Sequence, residues 1–176
     1  MNRFYIVILF LSLTTLNLSC ESKSKHKQRS KSGAYIVGTN DYLPVTKIVD
    51  GDTFWADNGT PKGVKVRLIG VDAPESRNVF KKVVGYYGKE AKAYLTKMLS
   101  GKKVKLVGDV DSLDQYGRTL SYVYLEDGTF INADIIKSGY AMVMTVPPNV
   151  KHADEFVKLQ QEARDNSIGL WGIKEK

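Results

Sequence analysis

Arg67, Asp72 and Glu75 gather one cation and two carboxylates at the end of a single stretch, Val64–Glu75. A guanidinium fork matches the oxygens of an anion such as phosphate in a way a lysine does not. A carboxylate can take a proton from water, or hold a hard cation. Taken alone, the same three side chains read first as a surface salt-bridge cluster, since isolated ion pairs are common and weak. Two other places carry the same residue types: Asp50-Gly51-Asp52-Thr53 and Tyr116-Gly117-Arg118.

These residues need elements that bring them together. Val64, Val66 and Leu68 alternate with Lys65, Arg67 and Ile69, which reads as a strand with one apolar face. Strict period-two geometry would set Arg67 and Asp72 on opposite faces. Gly70 lies between them and can supply a kink or bulge that re-aims the chain. Pro74 biases Ala73 to an extended conformation and so fixes where its carbonyl points.

The elements around this strand follow in order. Tyr42–Val49 is a strand candidate, Asp50-Gly51-Asp52 a tight turn, and Thr53–Ala56 the start of a second strand. Asp57-Asn58-Gly59-Thr60 is a hairpin turn leading into Val64. The loop Ser76–Tyr87 interleaves Arg77, Lys81 and Lys82 with Phe80, Tyr86 and Tyr87, and the two lysines read first as a solvated face, with substrate contact as the alternative. Gly88–Ser100 places Ala91, Tyr94, Leu95, Met98 and Leu99 at helical spacing, closed by Gly101. Lys103–Val107 and Leu120–Leu125 are strands, and the turn Asp114–Gly117 delivers Arg118 to the second of them. Ile131–Ser138 and Ala153–Asn166 are helices, Val146–Asn149 breaks the chain, and Gly169-Leu170-Trp171 folds back as an apolar plug. Five short strands with a helix between the third and fourth predict an α+β fold: a small, partly open, five-stranded OB-type Greek-key β-barrel with three helices.

The first forty residues differ in kind. Met1-Asn2-Arg3 is cationic and Phe4–Leu13 almost unbroken apolar, too short for a comfortable membrane span and suited to a signal peptide over 1–19. Cys20, the only cysteine of the 176 residues, follows directly and resembles the acylated residue of a lipobox, although Asn17 stands where an apolar residue is usual. Acylation there would leave a lipoprotein anchored in a membrane of the cell envelope; plain secretion is the alternative. Residues 20–40 read as a disordered basic tether and 41–176 as the domain. The net charge of +7 is concentrated in that leader: residues 1–32 hold 6 basic and 1 acidic residue, leaving 20 and 18 beyond. Net charge therefore says little about the domain's partner. With His26 in the tether and His152 alone before a helix, a histidine metal site is excluded on count.

Taken together, Asp50-Gly51-Asp52-Thr53, Arg67, Val71-Asp72-Ala73-Pro74-Glu75 and Tyr116-Gly117-Arg118 resemble the staphylococcal nuclease (thermonuclease) family over residues 42–171, in order and spacing. The resemblance implies a calcium-dependent endonuclease that hydrolyses phosphodiester bonds of DNA and/or RNA, a monomer with single strands preferred. It implies that Asp52, Asp72 and the Ala73 carbonyl hold one calcium ion. Glu75 would activate or position the attacking water, and Arg67 and Arg118 would grip the scissile phosphate. Tyr116 would lie near the substrate's terminal phosphate, with Lys81 and Lys82 as further substrate contacts. The types suit the chemistry, because charge that builds on an anionic phosphorus centre needs preorganised cations. Two departures stand out. Ala73 replaces the family's usual threonine, and Met142–Pro148 reads Met-Val-Met-Thr-Val-Pro-Pro where relatives carry pocket tyrosines. A domain of this fold that binds nucleic acid or another partner without cutting is the alternative. Such relatives typically lose a metal aspartate or an arginine, and this chain keeps both kinds.

Overall fold

The computed structural model describes residues 41–76 and 86–172. Five strands close into a barrel: β1 (Leu43–Ile48), β2 (Thr53–Ala56), β3 (Val64–Leu68), β5 (Lys103–Val107) and β6 (Thr119–Leu125), in the order β1-β2-β3-β6-β5. The barrel is closed where the sequence predicted it partly open. The first residues of β1 pair with β5 (Leu43 with Val104, Pro44 with Lys103), and the rest pairs with β2 across a register shift between Val45 and Lys47. That irregularity bends one strand across two neighbours, as barrel closure requires.

The interior is what the alternating pattern demands. Val64, Val66 and Leu68 of β3 are buried together with Phe54, Leu106, Val123 and Leu125. Each such side chain contributes about 1.5–3 kcal/mol on leaving water. Helix α1 (Gly88–Leu99) covers the barrel with Ala91, Leu95 and Leu99, and Tyr94 and Met98 pack at the margin. Helix α2 (Ile131–Lys137) buries Ile131, Ile135 and Ile136, and α3 (Ala153–Asp165) buries Phe156 and Ala163. Gly169–Trp171 forms a single 3-10 turn, half-buried, with the Arg164 guanidinium 4.2 Å above the Trp171 ring.

Asn132 ties these layers together from inside. Its Oδ1 accepts the Val123 N–H at 2.9 Å, and its Nδ2 donates to the carbonyls of Ile69 (2.9 Å) and Ser121 (3.2 Å). A fully buried amide with its bonds made locks α2 to the point where β3 ends.

Two short strands lie outside the barrel and were not anticipated. β4 (Gly70–Asp72) pairs antiparallel with β7 (Met142–Met144), Asp72 opposite Met142. Three residues carry too little period-two signal to be read as a strand; pairing alone creates them. Gly70 is the hinge between β3 and β4, with φ +77°, and a Cβ there would fall 2.6 Å from the Phe156 ring. Both the left-handed backbone and the close approach need glycine.

Candidate active site: two arginines on one groove

The β-pairing brings the chemical residues together. Thr53 of β2 sits opposite Arg67 of β3, which sets Asp52 beside that arginine. β3 and β6 run parallel, Val66 with Thr119, so Arg118, one residue before Thr119, stands at the same end of the barrel.

Arg67 joins both aspartates. Its Nη1 pairs with Asp52 Oδ2, and its Nη2 donates to Asp72 Oδ1 at 3.1 Å and to the Val71 carbonyl at 2.9 Å. The turn at Gly70 achieves this: β4 doubles back so that Asp72 meets a residue five positions earlier. Asp52 is buried and also accepts the Ala73 N–H (3.0 Å) and the Thr53 hydroxyl (2.8 Å). Burial pushes the Asp52 carboxyl up, against the Arg67 guanidinium and the Ala73 N–H, which favour its ionised form. Ala73 therefore meets Asp52 through its backbone N–H.

Glu75 lies half-buried on the loop leaving β4. That loop is tethered by Asp50 and closely approached by Gly88. Asp50 Oδ1 accepts the Ser76 N–H at 3.1 Å and the Ser76 hydroxyl, and a Cβ at Gly88 would collide with the Glu75 carbonyl. The sequence left Asp50 open between a turn residue and a site residue; it tethers the Glu75 loop.

Arg118 is held by Asp114. Its Nε donates to Asp114 Oδ2 at 2.6 Å, and its own N–H to Oδ1 at 2.9 Å. The Tyr116 N–H reaches the same Oδ1 at 2.9 Å, closing the turn. Tyr116 is 75% exposed, its ring centre 5.4 Å from the Arg118 guanidinium. Sequence reasoning took Asp114 as a turn residue only. A carboxylate four residues before a site arginine was the available signal.

Arg67, Arg118 and Tyr116 line one open groove of about 370 Å³, whose far wall is Met144, Val146, Pro147 and Pro148. Asn149 fixes that wall to the opposite loop: its Oδ1 accepts the Asp111 N–H at 2.8 Å and its Nδ2 donates to the Asp111 carbonyl at 2.9 Å. Nothing in the sequence marked this pair, since the two partners are 38 positions apart. Asp52, Arg67, Asp72 and Ala73 are thus directly bonded, and Arg118 and Tyr116 share the groove with Arg67. Glu75 is held by an adjoining turn. Lys81 and Lys82 lie outside the described residues, as does Cys20. Among the described residues no group of three or more His, Cys, Asp or Glu side chains is arranged to hold a metal.

A closed OB-type barrel with paired arginines at its rim narrows the class, and comparison with known proteins names it. Residues 65–172 match the family described as "Staphylococcal nuclease homologue". The chain is 38% identical over 141 residues to the thermonuclease of Staphylococcus intermedius, covering 80% of this chain and 82% of that protein. It is 35% identical over 127 residues to the thermonuclease of Staphylococcus hyicus, covering 72% and 73%. With endonuclease YncB of Bacillus subtilis (strain 168) the identity is 34% over 131 residues, covering 73% of this chain and 61% of that protein. The chain belongs to the staphylococcal nuclease family.

Proposed function

We propose that this protein is a calcium-dependent endonuclease that hydrolyses phosphodiester bonds of DNA and/or RNA. One observation carries the reading: Arg67 bridges Asp52 and Asp72 while lining the same groove as Arg118. Two guanidinium groups on one groove suit a phosphodiester in flight to its more highly charged transition state. Asp114, bonded at Nε, leaves the outer edge of the Arg118 guanidinium to the phosphate. Glu75 orients or deprotonates the water that attacks phosphorus. Tyr116, Lys81 and Lys82 contact the substrate away from the bond that breaks.

The donor set fits one hard divalent cation. Asp52 and Asp72 offer carboxylate oxygens and Ala73, directly after Asp72, a backbone carbonyl; among the described residues Arg67 is the cation bonded to both carboxylates. Two carboxylates and a carbonyl leave positions for water and substrate, which calcium accepts with irregular geometry and magnesium does not. When bound, the ion supplies Lewis-acid stabilisation of charge on the phosphate oxygens.

The test is turnover on single-stranded DNA and on RNA with calcium, with magnesium, and with chelator. Cleavage in calcium alone is expected; full-rate cleavage in magnesium with calcium chelated would overturn the ion assignment. No cleavage under any condition would leave the binding module of the same fold.

The domain limits, a monomeric state and single-strand preference belong to the same proposal. The envelope location rests on residues 1–20 of the sequence alone, with a signal peptide over 1–19 and acylated Cys20 as anchor. Cys20→Ala should move the protein from the membrane to the soluble fraction, and unchanged detergent partitioning would refute the anchor.

A further inference from the structure

Four tyrosines form one continuous run of rings beside the Glu75 loop. Tyr94 and Tyr140 stack with centroids 4.1 Å apart and planes 17° apart. Tyr140 and Tyr87 follow at 5.4 Å and 23°, then Tyr87 and Tyr86 at 6.3 Å and 36°. The inner end is anchored: the Tyr94 hydroxyl donates to Asp134 Oδ2 at 2.7 Å and lies 2.9 Å from the Ser138 hydroxyl. The outer end is open, with Tyr86 67% exposed.

Core packing does not account for this outer end. Tyr87 keeps a left-handed backbone (φ 69°, ψ 7°), a conformation an L side chain holds only where its surroundings insist. The insistence comes from the next residue, Gly88, whose backbone is pressed against the Glu75 carbonyl. The strained turn therefore presents Tyr86 and Tyr87 within two residues of a contact with the catalytic loop. Burial first, then Tyr140, raise the Tyr87 phenol, and burial chiefly pushes Tyr94 up to about 12.

We propose that Tyr86 and Tyr87 form a stacking platform for an unpaired base of the substrate, beyond the nucleotides held in the arginine groove. This rests on the nuclease reading and deepens it, by assigning a source of single-strand preference. A base in a duplex already has both faces stacked, whereas an unpaired base offers a free face to an aromatic ring, with little regard to sequence. Exposed Lys89 of α1 and Lys137 of α2, on the two helices whose ends flank the run, supply cations for the intervening phosphates.

The experiment compares the full-length protein with Tyr86→Ala, Tyr86→Phe and Tyr86→Trp on three substrates in calcium: a single-stranded 20-mer of thymidylate, a 20-base-pair duplex, and a thymidine dinucleotide. Tyr86→Ala should raise KM for the single-stranded 20-mer by about 5- to 150-fold, the effect of losing one stacked base. It should leave dinucleotide turnover unchanged and shrink the preference for single strand over duplex. Phe and Trp should preserve wild-type behaviour. An unchanged KM for the 20-mer in a folded Tyr86→Ala protein, with the wild type cutting normally, overturns the platform and leaves the nuclease reading intact. A wild type that cuts none of the substrates overturns that reading, and the platform falls with it.

Discussion

Asp114 grips Arg118 at two points, Oδ2 to the side-chain Nε at 2.6 Å and Oδ1 to the backbone N–H at 2.9 Å, so one carboxylate sets both where this arginine starts and where its guanidinium points. Both its oxygens are engaged by Arg118, so Asp114 acts as a positioning residue. Asp114→Ala should lower kcat on the order of ten- to a hundredfold, the usual cost of a misplaced site group. The cycle with Arg118→Ala checks it. Once Arg118 is gone, removing Asp114 should cost little more. Additive losses would show that Asp114 acts by some other route.

The two arginines and the glutamate carry the sharpest test of the proposed chemistry. Arg67→Lys and Arg118→Lys keep the charge and lose the fork, at an expected cost of about a hundred- to a thousandfold in kcat. Glu75→Gln keeps the shape and loses the base, at about a hundred- to ten-thousandfold. Asp57→Asn is the control: its Oδ1 only accepts the Gly59 N–H in the β2–β3 turn, which asparagine does as well. Turnover on DNA in saturating calcium, beside a thermal melt, decides. Near-normal turnover in a folded Arg118→Lys or Glu75→Gln protein would place the chemistry elsewhere.

Gly70→Ala should damage stability and activity together. A left-handed alanine costs about 1–2 kcal/mol, and its methyl would press on the Phe156 ring, adding to that cost. Asp72 lies two residues on, so relief of the strain moves it from Arg67. Urea unfolding and turnover are the measurements. A variant with wild-type midpoint and rate would show that the hinge is not under constraint.

Acid should weaken the fold through Asp109 and Asp114, whose carboxyls both lie below the ordinary 3.8. Burial opposes ionisation at each and is outweighed. At Asp109 the Lys151 N–H and the Tyr122 hydroxyl do this, and at Asp114 the Arg118 N–H and side chain do. A carboxylate with its folded pKa below the unfolded one adds stability above the unfolded value and loses it as pH falls through the folded value. The urea midpoint should therefore decline below about pH 4. Asp109→Asn should decline less steeply there, and an equal slope would remove Asp109 from the account.

Much of this protein was legible in the chain itself. The five barrel strands and three helices follow from apolar periods of two and 3.6, because burial of one face depends on local spacing. Arg67, Asp72, Ala73 and Glu75 could be grouped because nine consecutive residues hold them, and Gly70 marked where the chain must turn. Other features depended on partners far along the chain. β4 and β7 are strands only because Gly70–Asp72 meets Met142–Met144, and three residues have no period to read. The Asn149–Asp111 clamp, the Asn132 lock and the Asp50–Ser76 tether are single side chains whose meaning is set by who arrives beside them. The tyrosine run joins residues from α1 and from beyond α2 that share no sequence pattern. Local spacing determines which face of an element is apolar; only the closed barrel decides which polar groups then meet across it.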